Sequence, residues 1–439
     1  MFLRRIVLIL IIVLVAGGAY VFFNKTNNSA PSGSTQTTTG SNSTQTGAQT
    51  GSSTQAAPTT PPKPDSRSSV PVTNASTPVL SEVAGMTPPQ TNVKAWFLID
   101  ATSGQIIGNQ EPDLKVSPAS LTKLMTASLV FSALDENRIR PEQEVTVSEK
   151  AWRTGGSRMF IQVNTQVTID DLIKGMIVQS GNDATIQLAE TVAGSEDVFV
   201  NQMNKEAALF GMTNTHFTDP TGLPAPEHYT TVRDLSVLAQ HVIKDHPKYY
   251  HYFSQPEFTY NKIRQQNRNG LLSRNIGVDG LKTGHTEDAG YCLIAAAKRD
   301  DRRLISVVVG AATVREREQI SQNLLDWGYQ NFTAKQVAAA GASLISPRVW
   351  EGTIKQAKLG AADGVSVTVP RGMEDKVQTI TQINGKLVAP LTKGQTVGNV
   401  QFVLNGKVLK QEQLTVLEDV PQAGFFGRMW DKVLSSFNS

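Results

Sequence analysis

The chain of 439 residues can hold two ordinary domains with appendages, and its formal net charge of +3, with no basic run interleaved with aromatics, gives nucleic-acid binding no support. Cys292 is the only cysteine, which excludes an internal disulfide framework and a cysteine-rich metal site. The six histidines include no H-E-x-x-H, which argues against a zinc peptidase.

At the N-terminus Arg4-Arg5 precede an uncharged apolar stretch from Ile6 to Phe23, whose length sits between a long signal peptide and a short membrane span. Gly17 and Ala19 are spaced like a cleavage site, but Tyr20-Val21-Phe22-Phe23 keep the stretch apolar beyond them. Residues 1–23 therefore read as a signal anchor in preference to a removed signal peptide, with both left open. Either way the arginines stay in the cytoplasm and the rest is exported. Residues 24–90 are mostly Ser, Thr, Gln, Gly and Pro. They cannot offset their own ordering entropy and read as a flexible tether with a span on the order of 45 Å.

Residues 91–331 carry the chemistry. Strand patterns at Ala95–Asp100 and Gln105–Asn109 are joined by Thr102-Ser103-Gly104. Ser117 and Pro118 then give start signals for a buried helix, because Ser120 opens the apolar run Leu121, Leu124, Met125, Ala127, Leu129, Val130, Phe131. Lys123 lies three residues after Ser120 on the same face, so its amine reaches the hydroxyl. Leu172–Val178 and Ala184–Ala193 read as helices, with Ser180-Gly181-Asn182 in the loop between them. A strand at Val278–Thr286 holds Lys282-Thr283-Gly284. After a turn at Asp288–Gly290 come the strands Tyr291–Ala297 and Leu304–Gly310 and a closing helix, Val314–Tyr329. This is an antiparallel meander, and helices interrupt a sheet drawn from both ends of the domain, so the fold class is α+β. Cys292 sits in an apolar strand as a small core residue; a thiol that modifies activity from beside the third motif is the alternative.

A serine hydroxyl is too weak an acid to attack a carbonyl at neutral pH without an adjacent base and a place for the oxyanion. Ser120 and Lys123 supply nucleophile and base, and the positive end of the helix favours negative charge there. Lys282 would bring a second cation near Lys123, and like charge and burial both lower a lysine pKa, which fits Lys123 to act as a neutral base. Ser180 and Asn182 are uncharged hydrogen-bonders suited to proton relay and carbonyl positioning. Gly284 lets a substrate backbone lie close to its strand. Each motif alone is weak; in this order and context the three form a specific set.

Residues 332–420 change to period-two alternation, as in Val365-Ser366-Val367-Thr368-Val369, and Asn384-Gly385 and Asn405-Gly406 each lie between candidate strands as hairpin signals. This is a small all-β module with no catalytic constellation, read as a stalk. In residues 421–439, Phe425, Phe426, Met429, Trp430, Val433, Leu434 and Phe437 fill one half of a helical wheel. Arg428, Asp431, Lys432, Ser435 and Asn438 fill the other, the pattern of an in-plane membrane helix. A helix packed back on the β module is the alternative.

The three motifs recur with Gln179-Ser180-Gly181-Asn182-Asp183-Ala184, Asn214-Thr215-His216-Phe217, Arg264-Gln265, Asn267-Arg268-Asn269-Gly270-Leu271-Leu272 and Val278-Asp279-Gly280-Leu281-Lys282-Thr283-Gly284-His285-Thr286. From about Thr91 to the C-terminus the chain thereby resembles the low-molecular-mass penicillin-binding proteins that act as D-alanyl-D-alanine carboxypeptidases. The resemblance implies a β-lactamase/transpeptidase-like catalytic domain and a serine-lysine mechanism. Ser120 is then the nucleophile, Lys123 the general base, Ser180 and Asn182 relay and orienting groups, and Lys282 the electrostatic anchor. The backbone N–H of His285, with that of Ser120, would form the oxyanion hole, and Thr283 and Arg233 would meet the substrate's terminal carboxylate. The resemblance further implies no metal or organic cofactor, and peptidoglycan pentapeptides as substrate. Slow-leaving β-lactam adducts and attachment to the outer, periplasmic face of the cytoplasmic membrane complete the expectation. Alternatives are a serine β-lactamase, a D,D-endopeptidase and a silent peptidoglycan-binding scaffold. A class A lactamase needs a glutamate in an E-x-x-x-N setting; Glu257 with Asn261 matches, but in a strand-like stretch close before the third motif. A scaffold would be expected to have lost Ser120, Lys123 or Lys282.

Overall fold

The computed structural model describes residues 77–436, so the apolar stretch of residues 6–23 and most of the expected tether lie outside the described residues. The tether ends before residue 90, as a correction to the sequence reading. Leu80–Ala84 form a short helix, α1, with Leu80 fully buried. Leu80, Val83 and Met86 supply the large apolar side chains that the preceding stretch lacks, and they join the cluster around Trp96 and Leu98.

In chain order the next elements are β1 (Ala95–Asp100), β2 (Gln105–Gln110), α2 (Lys123–Asp135), β3 (Glu144–Thr146), α3 (Glu149–Arg153) and β4 (Gln166–Thr168). Then come α4 (Ile169–Val178), α5 (Asn182–Ala193), α6 (Glu196–Leu209), α7 (Val232–Asp245) and the hairpin β5 (Glu257–Tyr260) and β6 (Ile263–Gln266). β7 (Val278–Thr286), β8 (Gly290–Arg299), β9 (Arg302–Ala311) and α8 (Val314–Asn331) follow. Threonine starts three of these helices. Thr168, Thr231 and Thr313 each accept from the backbone N–H three residues on, where Asp171, Asp234 and Glu316 also suit the positive helix end.

Five strands form one antiparallel sheet in the order β2-β1-β9-β8-β7. Side chains of a strand alternate between faces, so β1 divides between two cores. Phe97 and Ile99 pack in the helical layer with Leu124, Val130, Leu235 and Leu238. Trp96 and Leu98 pack on the other face with Leu324 and Leu325 of α8. This α+β arrangement leaves β7 at the sheet edge, beside the helical layer.

β10 (Phe332–Ala338) follows α8 directly and pairs with β12 (Val365–Pro370). β11 (Leu359–Gly360), β13 (Gln378–Ile383), β14 (Thr396–Leu404) and β15 (Lys407–Val416) make a second sheet in the order β11-β15-β14-β13. Asn405 and Gly406, at φ 50° and 76°, form the two-residue turn between β14 and β15. Asn384-Gly385 is not such a hairpin. β13 ends at Ile383 and β14 begins at Thr396, so the dipeptide makes only the first bend of a longer connection. The module is fastened to the first sheet through Asp100, whose Oδ2 accepts from Thr368 Oγ1 at 2.7 Å and from Arg302 Nε at 2.6 Å.

The final helix, α9 (Phe425–Ser436), carries a second correction. Asp431, expected on the solvent half, is buried; its carboxylate pairs with Lys355 at 2.8 Å and accepts from Glu351 N at 2.7 Å. The helix thus docks on the β module by one face while Phe425, Phe426, Met429, Trp430 and Val433 stay exposed. Phe437 and Asn438 lie outside the described residues. No helix among the described residues is long and apolar enough to cross a membrane.

Candidate active site

A turn of 3₁₀ helix, Ala119–Thr122, carries Ser120 in front of α2. The expected α-helix from Ser120 onward is therefore tighter at its start, but a 3₁₀ turn stacks residue i over i+3 and preserves the Ser120–Lys123 relation. Lys123 Nζ lies 3.0 Å from Ser120 Oγ, 2.7 Å from Asn182 Oδ1 and 2.6 Å from the Thr221 carbonyl oxygen. A neutral amine has two hydrogens and one lone pair. With the hydrogens on Asn182 and Thr221, the lone pair faces the Ser120 hydroxyl.

Burial is the main cause that lowers the Lys123 pKa, to about 7; the charge of Asp219 opposes it, Arg268 adds to it and Asp183 opposes it. Lys282 is driven well below the ordinary lysine range, by burial first and then by the charges of Lys123, Arg268 and Arg317. The two amines thus lie close enough for charge on one to disfavour charge on the other, the repulsion expected between Lys123 and Lys282. Its Nζ donates to Ser180 Oγ at 2.9 Å and to the Thr283 carbonyl at 2.9 Å. Ser180 holds φ 63°, a region few non-glycine residues occupy, and that bend aims its hydroxyl at Lys282. Asn182 opens α5 and donates from Nδ2 to the Gly155 carbonyl at 2.7 Å, which fixes its Oδ1 towards Lys123. Thr283 is buried beside Lys282, and Gly284 lies so near the nucleophile turn that an added Cβ would stand 3.3 Å from Ala119 Cβ and from Leu121 N. β7 therefore runs past Ser120 at backbone contact. The exposed His285 ring stacks on Tyr291 with centroids 4.0 Å apart.

Ser120, Lys123, Ser180, Asn182, Lys282, Thr283 and Gly284 are thus brought together, with His285 at the end of the same strand. Arg233 is not. Its guanidinium grips Asp113, Nε to Oδ1 at 2.6 Å and a second nitrogen to Oδ2 at 3.0 Å, and it is not among the charges acting on Lys282. Two arginines that were not assigned stand nearer. Arg317 is buried, its Nε has no hydrogen-bond partner, and it donates from Nη2 to the Arg268 carbonyl at 3.0 Å. Neither Arg268 nor Arg317 forms an ion pair among the described residues, and desolvation lowers the pKa of both. Arg268 lies within Asn267-Arg268-Asn269-Gly270-Leu271-Leu272, one of the segments that carry the resemblance; Arg317, in the first turns of α8, has no sequence signal.

Cys292 faces Gly284 across the β7–β8 pair, fully buried, and burial pushes its thiol up to about 11, so it is an inert core residue. Glu257 donates nothing to the site: its carboxylate accepts from Arg264 Nε at 2.8 Å across the β5–β6 hairpin.

Residues 82–313 match the family model described as D-alanyl-D-alanine carboxypeptidase, and residues 332–422 match that of the penicillin-binding protein 5 C-terminal domain. D-alanyl-D-alanine carboxypeptidase DacC of Escherichia coli is 45% identical over 358 residues, covering 80% of this chain and 90% of its own. Among solved structures, penicillin-binding protein 5 from Haemophilus influenzae superposes with a TM-score of 0.74 at 43% identity, covering 77% of this chain and all of its own. Penicillin-binding protein D2 from Listeria monocytogenes in its ampicillin-bound form has a TM-score of 0.51 at 31% identity, over 55% of this chain and 100% of its own.

Proposed function

The chain belongs to the D-alanyl-D-alanine carboxypeptidase family and is a serine-type carboxypeptidase of the low-molecular-mass penicillin-binding class; on that premise we propose that Ser120 and Lys123 cleave peptidoglycan pentapeptides. The observation that carries this reading is the buried Lys123 amine, held by Asn182 and Thr221 with its remaining position on Ser120 Oγ.

Neutral Lys123 takes the Ser120 proton as Oγ attacks the carbonyl carbon of the penultimate D-alanine. Charge building on that carbonyl oxygen is met by the backbone N–H groups of Ser120 and His285. The C–N bond breaks as Ser180 gives its proton to the leaving D-alanine amine and takes in its place the proton that Lys123 received from Ser120, so that Lys123 is neutral again; Lys282, hydrogen-bonded to Ser180, steadies the exchange. Water then attacks the ester carbonyl as the neutral Lys123 amine takes its proton, and the C–Oγ bond breaks as Lys123 returns that proton to Ser120 Oγ, 3.0 Å away. The free carboxylate of the terminal D-alanine meets Thr283 and Arg268, with the charge of the buried Arg317 behind them. Arg233, already held by Asp113, supports the helix α7 instead.

Penicillin enters by the same attack. Its ring-opened acyl group keeps the leaving group attached and blocks the approach of water, so the adduct decays slowly. The ampicillin-bound relative supports this reading.

The pH dependence follows from the base. Lys123 works only when neutral, and its pKa is lowered to about 7. Acylation by benzylpenicillin should therefore rise with pH through about 7 and level off above it. A rate that falls over the same interval would remove Lys123 as the base.

Residues 1–23 export the chain, and α9 rests its exposed aromatic face on the outer surface of the cytoplasmic membrane, with the active site on the periplasmic side. Five large exposed side chains support this, each contributing on the order of 1.5–3 kcal/mol when fully buried. In a chain without residues 1–23, removal of residues 424–439 should abolish sedimentation with liposomes. Equal sedimentation with and without the tail would assign the exposed face no membrane role.

A further inference from the structure

Behind the nucleophile lies a turn that the catalytic steps above do not use. Asp219 Oδ1 accepts from Thr221 N at 2.6 Å, Thr221 Oγ1 at 2.5 Å and Gly222 N at 2.8 Å. This folds residues 219–222 into a tight bend whose Thr221 carbonyl is aimed at Lys123. Gly222, at φ 87°, is pressed on the nucleophile turn: an added Cβ would stand 1.8 Å from the Ala119 carbonyl oxygen. The bend is fastened at two more points. Thr126 Oγ1 donates to the Pro220 carbonyl at 2.7 Å. The buried His228 places Nδ1 3.1 Å from Asp219 Oδ2 and Nε2 2.9 Å from Thr122 Oγ1, the residue before Lys123. A closed ring results, from Lys123 through Thr221, Asp219 and His228 to Thr122.

We propose that Asp219 is a positioning residue for the general base, holding the Thr221 carbonyl that orients the Lys123 amine and placing a fixed negative charge beside it. The proposal rests on Lys123 as the base.

The two effects of Asp219 oppose one another. Its hydrogen bonds fix one of the two acceptors that keep the Lys123 lone pair on Ser120. Its charge favours the protonated amine, which cannot take a proton. Burial alone would raise the Asp219 pKa, but hydrogen bonds from His228 and Thr221 outweigh it and hold the carboxyl at about 2, so the charge is present at every working pH. The other charged groups facing Lys123 are Asp183 at the start of α5, Arg268, and the Lys282 amine on β7, its like-charged neighbour.

Two variants separate position from charge. Asp219→Asn keeps an oxygen for Thr221 and Gly222 but removes the charge, whereas Asp219→Ala removes both. The measurement is the pH profile of benzylpenicillin acylation, followed by intact mass, with D-alanine release from a pentapeptide alongside and Lys123→Ala as reference. The acidic limb of Asp219→Asn should move to lower pH by about one unit, the size an opposite charge at close range imposes. Asp219→Ala should lose on the order of tenfold to a hundredfold at the plateau, as misplacement of a catalytic group does. Circular dichroism and melting of both variants show whether the fold is kept. An Asp219→Asn profile superimposed on the parent, in a folded protein, overturns the proposal. Parental acylation by Lys123→Ala would instead overturn the assignment of the base, a separate result.

Discussion

Ser120→Ala is expected to release no D-alanine from a pentapeptide and to form no covalent adduct with penicillin, while folding and melting like the parent. The substitution deletes only the attacking oxygen. Ser120 sits in an intermediate position on the 3₁₀ turn, and the Lys123 amine keeps Asn182 and Thr221 as acceptors. The stability change should therefore stay within about 1 kcal/mol. Intact mass after incubation with penicillin reads the result: an adduct on any other residue of the folded variant sinks the nucleophile assignment.

Lys123→Ala is expected to lose acylation by about a hundredfold or more, because it removes the group that accepts the Ser120 proton. That corresponds to about 2.7 kcal/mol of barrier. The same change also deletes the common partner of Asn182 and Thr221, leaving two buried acceptors unsatisfied, so some loss of melting temperature accompanies it. The pH profile separates the two effects. Residual activity that has lost the limb near 7 confirms a base; an unchanged profile at a parental rate removes Lys123 from the chemistry.

Much of this site was legible because its side chains lie in short local patterns. Ser120 and Lys123 are i and i+3 whether the turn is α or 3₁₀, and Lys282 to Gly284 lie in a strand whose alternation and flanking turn are written locally. What escaped depends on tertiary contact. Arg233 follows two threonines at a helix start, and nothing near it in sequence shows that Asp113, far earlier in the chain, will take its charge. Arg317 reaches the site only because α8 packs on β8 and β9. The bend at Asp219 works through a backbone carbonyl, which no residue type announces. Asp431 and Asn384-Gly385 show the same limit in the β module. A helical wheel assigns a polar residue to solvent unless a buried partner such as Lys355 is known, and an Asn-Gly pair bends the chain without fixing where the next strand begins.

In one experiment the full-length protein is given a D-Ala-D-Ala pentapeptide, and separately a short pulse of benzylpenicillin followed by its removal. Free D-alanine and the intact mass of the protein are then followed in time. A serine carboxypeptidase gives continuous D-alanine release, a single penicilloyl adduct mapped to Ser120, and decay of that adduct far slower than peptide turnover, unchanged in Glu257→Ala. Rapid return of unmodified protein with many hydrolysed lactams per chain and no D-alanine released would contradict it and make the protein a β-lactamase.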